Sequence, residues 1–151
     1  KMSHLAQEYT IVYKLHPAEV FGWKEHYPWL VDSGIMVIAH NDKSLYELFA
    51  ESQIQVGVFS TALFEGLAFG LKTFLIDIPG VEYMNSLIEA GVARKVSNPR
   101  EILEQVDKFP PEPSEKSLGL FETNSIPKIV DFISRELSKN NDKQSRNQCD
   151  G

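Results

Sequence analysis

Cysteine is almost absent from this chain: of 151 residues only Cys149 carries a thiol, which excludes an internal disulfide framework and a cysteine-based zinc site. The four histidines, His4, His16, His26 and His40, show no metal-ligand spacing such as a helical pair four apart, so no metal centre is expected. No apolar run approaches the roughly 20 residues of a membrane span, and the start, Lys1-Met2-Ser3-His4, lacks the form of a signal peptide. A cytoplasmic location is the expectation. Clusters of lysine and arginine are missing too, and the formal charge of −6 is spread along the chain. Nucleic acid and anionic membrane are therefore poor partners, and an anionic small ligand would need local help from helix termini. Neither a G-x-G-x-x-G fingerprint nor a Walker P-loop is present.

What is present fits one α/β domain of ordinary size. Short apolar runs at residues 9–15, 35–39, 54–59, 73–78 and 93–96 read as strands, and none is joined to the next by a tight hairpin turn. Between them lie helical patterns at 18–31, interrupted by Gly22 and Pro28, and at 44–52, 61–69, 82–90 and 100–108. Gly70 and Gly91 stop two of these helices, and Asn98-Pro99 opens another with a cap and a first-turn proline. The expected architecture is a Rossmann-like parallel sheet with helices on both faces, in a domain covering residues 1–137. Pro110-Pro111-Glu112-Pro113 is a stiff break, residues 126–137 form a last amphipathic helix packing back on the sheet, and residues 138–151 are expected to be disordered.

In such a sheet, ligands sit beyond the carboxyl ends of the strands. Two motifs fall there. The first is Ser60-Thr61 at the junction of the third strand and its helix. Either hydroxyl can cap the helix, the free N–H groups suit phosphate, and Glu65 lies little more than one turn inside, where a carboxylate can take ribose hydroxyls. The second is Lys14-Leu15-His16-Pro17, which ends the first strand with a cation and an imidazole able to neutralise a departing phosphate. The competing structural account makes Ser60 and Thr61 plain caps, Glu65 a solvated first-turn acid and His16 a strand-end donor to backbone. Further contacts at the same edge would come from His40 and Asn41 after the second strand, and from Asn85 at the start of the helix beside it. Asp77, Tyr83 and Met84 lie near by with capping and packing as sufficient explanations, and Trp23, Tyr27 and Trp29 form either an apolar patch or part of the core.

Together the motifs resemble the carboxyl-terminal half of GT-B glycosyltransferases. Lys14-Leu15-His16-Pro17 followed by Phe59-Ser60-Thr61 looks like the K-x-H-P and paired-hydroxyl motifs of bacterial sialyltransferases and of capsule and CDP-glycerol (teichoic-acid) polymerases. The stretch from Glu65 to Thr73 is similar to the E-A-x-A-x-G-x-P segment, and Phe121-Glu122-Thr123-Asn124 resembles the closing segment of that half. The resemblance implies that Lys14, His16, Ser60, Thr61, Glu65 and Gly66 bind the nucleotide of a CMP-, CDP- or UDP-linked donor sugar, with His16 stabilising the leaving phosphate. No cofactor beyond that substrate is implied. Gly57 stands where retaining enzymes often carry a second glutamate, which favours inversion, and Thr73 replaces the usual proline.

The function expected on these grounds is donor binding in an inverting glycosyltransferase of bacterial surface polysaccharide synthesis. Two Rossmann-like halves make such an enzyme, and the length here suffices for one. An amino-terminal acceptor domain or a partner chain is therefore expected to supply the general base, which the isolated chain lacks. The alternatives are a UDP-sugar 2-epimerase-like domain, which needs additional acids, and a non-catalytic Rossmann-like interaction domain.

Overall fold

Strands form where the apolar runs predict them, most of them shorter than the run. In the computed structural model, which describes residues 5–39, 43–109, 127–132 and 135, β1 (Val12–Lys14) pairs in parallel with β2 (Met36–Ile38). A second parallel sheet has the order β3 (Ile54–Gly57), β4 (Lys72–Ile76), β5 (Ala93–Val96). The single sheet expected from the sequence is thus divided in two, and all the pairings are parallel. Helices connect the strands, as parallel pairing requires.

The central strand β4 explains the core. Side chains alternate along a strand, and Phe74 enters one cluster with Val96, Ile102 and Val106, while Leu75 enters another with Leu63, Leu67, Met84, Leu87 and Val92. The first cluster rests under α7 (Pro99–Gln105), and the second under α5 (Thr61–Ala68) and α6 (Asn85–Glu89). Helices on both faces of a parallel sheet make this an α/β fold of the Rossmann-like type. Fully burying side chains of this size stabilises by about 1.5–3 kcal/mol each.

Thr73 and Gln55 form a buried polar pair between β4 and β3. Both are buried; the Gln55 amide donates to the Leu63 carbonyl at 2.8 Å and to Thr73 Oγ1 at 2.7 Å, and Thr73 Oγ1 donates to the Leu71 carbonyl at 3.1 Å. A buried polar cluster satisfied in this way ties β3, β4 and α5 together.

Between β1 and β2 the helical segment, interrupted as expected at Gly22 and Pro28, forms three short pieces. Pro17–Glu19 is a 3₁₀ turn, followed by α2 (Trp23–His26) and α3 (Pro28–Val31). Gly22 takes φ of 69°, a left-handed conformation, and Pro28 starts α3 because its missing N–H cannot continue α2. A one-turn helix, α1 (Leu5–Glu8), precedes β1, and α4 (Leu45–Glu51) opens with a reciprocal cap between Ser44 and Glu47. The 82–90 pattern resolves into a 3₁₀ turn, Val81–Met84, followed by α6.

The chain divides into compact units of residues 1–118 and 119–151. In the second, residues 127–132 and 135 are helical, and Arg135 pairs with Asp131 at 2.8 Å. The break at 110–113, the segment at 121–124 and the tail at 138–151 lie outside the described residues. So do His40 and Asn41. Among the described residues, no helix is long and apolar enough to cross a membrane.

Candidate functional site

His16 follows β1 by two residues and caps the 3₁₀ turn. Because Pro17 has no N–H, the first donor the imidazole can reach is Ala18, whose N–H donates to His16 Nδ1 at 3.2 Å. An Nδ1 that accepts carries no proton, so in the neutral ring the proton sits on Nε2. The exposed imidazole therefore presents a donor. Lys14, at the end of β1, is half-buried.

Glu19 closes the same turn. Its N–H donates to the His16 carbonyl at 2.8 Å, and its Oε2 accepts the His16 N–H at 3.0 Å. Its other oxygen accepts the Tyr27 hydroxyl at 2.6 Å. The Tyr27 hydroxyl and the His16 N–H hold the Glu19 carboxyl below its ordinary value, while the same contact raises the Tyr27 hydroxyl. A lowered carboxylate contributes stability that is present above its unfolded value and is lost as pH falls through the folded one. Glu19→Gln is accordingly expected to flatten the acid limb of stability against pH. Urea midpoints measured from neutral pH down to about pH 3 check this, and parallel acid limbs for the two proteins would contradict it.

Ser60 lies three residues beyond β3 and is the N-cap of α5, its Oγ accepting the Ala62 N–H at 3.2 Å. Its carbonyl accepts the Leu63 N–H at 3.1 Å. Thr61, in the first helical position, is exposed, and a first-turn N–H has no acceptor within the helix. Ser60 is steadied from the next loop. The Phe59 ring lies over Gly80, whose φ is 102° and where a Cβ would stand 2.6 Å from ring carbons. Tyr83 meets Phe59 edge to face with centroids 6.0 Å apart. Asn85 begins α6 close by in sequence and is exposed.

Two of the predicted ligand residues have neighbours of their own within the fold. The Glu65 carboxylate stands beside the hydroxyl of Tyr46, a residue of the first turn of α4, and raises it. Gly66 is buried on the sheet side of α5, where a Cβ would come within 2.1 Å of the Gln55 amide. The absence of a side chain there allows α5 to pack closely on Gln55. Asp77 pairs with Lys95 at 3.1 Å, a half-exposed pair of small energetic weight.

Sequence reasoning overlooked Glu19 and Tyr46. A carboxylate three residues after a capping side chain is the signature of a reciprocal cap, and His16 to Glu19 carries it with histidine in the usual place of serine. Tyr46 left no comparable signal, since its partner is distant in sequence. Among the described residues, no group of three or more His, Cys, Asp or Glu is placed to hold a metal ion. No protein-family model, curated protein or solved structure matches the chain.

Proposed function

We propose that this chain binds the nucleotide of a donor sugar and forms the donor half of an inverting glycosyltransferase of surface polysaccharide synthesis. The observation that carries the reading is the His16 turn: at the carboxyl end of a parallel strand, Nδ1 is occupied by the Ala18 N–H and Nε2 is left as an outward donor. The start of α5 at the end of β3 adds backbone donors for phosphate. Glu65, with Tyr46 beside it, offers a carboxylate to the ribose hydroxyls.

In this reading the acceptor hydroxyl attacks the anomeric carbon while the bond to the donor phosphate breaks. The phosphate leaves with the electron pair, and His16 Nε2–H donates to an oxygen of the departing group. Glu19 is unsuited to deprotonate the acceptor, because both of its oxygens accept bonds within the His16 turn. That role falls to a second half, in the same polypeptide or a partner.

Chemical-shift mapping with CMP, CDP, UMP and UDP tests the proposal. Perturbation of the Thr61 amide and the His16 ring is expected, with His16→Ala and Ser60→Ala each weakening binding about tenfold, the scale of one net hydrogen bond. Absence of any response at Thr61 to all four nucleotides at millimolar concentration would defeat it. A second reading, a non-catalytic interaction domain, is favoured by the capping bonds that already occupy Ser60 Oγ and His16 Nδ1. It predicts that same absence of response.

A further inference from the structure

We infer that Glu19 and Tyr27 are positioning residues for His16, fixing both the direction of its imidazole and the nitrogen that carries its proton. The inference rests on the reading of His16 as a phosphate donor and adds the residues through which that donor is set. Three hydrogen bonds close the turn: Glu19 N–H to the His16 carbonyl, His16 N–H to Glu19 Oε2, and Ala18 N–H to His16 Nδ1. The second depends on where the Glu19 carboxylate is held, and Tyr27 holds it through the remaining oxygen at 2.6 Å.

Tyr27 is itself fixed from two directions. Its backbone joins α2 to α3: its N–H donates to the Trp23 carbonyl at 2.7 Å, and Pro28 follows. Its ring belongs to a trio with Tyr13 and Trp29, with centroid separations of 6.5 Å to each and 6.3 Å between those two. Tyr13 is a residue of β1, the strand that delivers His16. The path from β1 through the rings to the Tyr27 hydroxyl, the Glu19 carboxylate and the His16 backbone is therefore closed on itself. A glutamate that only solubilised the turn would need neither of its partners. With the turn held, Ala18 N–H stays on Nδ1, the Nε2–H tautomer is selected, and the donor exists before any ligand arrives.

The test uses the full chain, labelled with ¹⁵N, and reads the two imidazole nitrogens of His16 by long-range ¹H–¹⁵N correlation at a pH where the ring is neutral. The wild-type ring is expected to show the proton on Nε2. Glu19→Ala should give a mixture of tautomers and bind CMP about tenfold more weakly. Glu19→Gln keeps an acceptor for the His16 N–H and a donor for the Tyr27 oxygen, and should restore the wild-type pattern. Tyr27→Phe keeps the ring trio and removes only the hydroxyl, so it carries the same test if Glu19→Ala fails to fold. Folded variants with an unchanged tautomer pattern and unchanged CMP affinity would overturn the inference. A tautomer pattern that responds to Glu19→Ala, in a protein whose His16 and Thr61 signals ignore CMP, would support the positioning and sink the donor-binding reading instead.

Discussion

Gly66→Ala is expected to destabilise the fold by about 2–4 kcal/mol, although alanine is the better helix former by roughly 1 kcal/mol. The new methyl would stand 2.1 Å from the Gln55 amide. A long side chain can often swing aside, but this one is buried and bonded at its tip to Leu63 and Thr73. Moving it costs about 1–3 kcal/mol in forced packing and about 1–3 kcal/mol for each buried group left without a partner. The decisive measurement is a double-mutant cycle in urea. Gln55→Ala makes room for the methyl, so the double variant should be less destabilised than the two single changes added together, by at least about 1 kcal/mol. Strict additivity would show that the glutamine and the glycine do not constrain each other.

Phe74→Ala should be costlier still, at about 3–5 kcal/mol, a large part of the roughly 5–15 kcal/mol that holds a typical domain together. Phe74 is 0 % exposed and meets Phe109 edge to face at 5.2 Å. Phe74→Leu keeps most of the volume and should lose less than about 1.5 kcal/mol. Phe21, 95 % exposed, is the internal control: its change to alanine should stay within about 0.5 kcal/mol. Thermal or urea unfolding of the three variants checks the ranking. Comparable losses at Phe74 and Phe21 would contradict the assignment of the core.

The strands and the helices that follow them were legible because their signals are local. Residues 93–96 match β5 end to end, and the 44–52 and 61–69 patterns contain α4 and α5, each losing one residue at each end or at the carboxyl end alone. Gly70 and Gly91 adopt the left-handed conformation that ends a helix, with φ of 77° and 73°. In the 18–31 segment the interruptions at Gly22 and Pro28 were legible, and the helical pieces they leave are short. The division of the sheet had no local signal at all, since hydrophobic runs do not state which strands become neighbours.

At the site, sequence reading found the residues at strand ends and missed what holds them. His16 and Ser60 were visible because each stands at a strand's end with a recognisable neighbour, Pro17 or Thr61. The Tyr27 hydroxyl was not, because its contact with Glu19 spans eight residues and reaches across the whole of α2. The approach of the Gln55 side chain to Gly66 was hidden for a related reason, since the two meet only once β3 and α5 pack together.

The division of the strands into two sheets has a dynamic consequence. β3, β4 and β5 share a core on two faces, so that sheet can open only as the whole domain opens. The pair of β1 and β2 is three residues long on each side, and its first rung, Val12 beside Met36, is exposed. Its opening is a local fluctuation of much smaller free energy. The turn that presents His16 belongs to this pair, whereas the cap at Ser60 belongs to the other sheet. A ligand held by both would bind only while the weaker sheet is closed, so its binding would also appear as slowed amide exchange in β1 and β2, by an amount set by its concentration over its Kd.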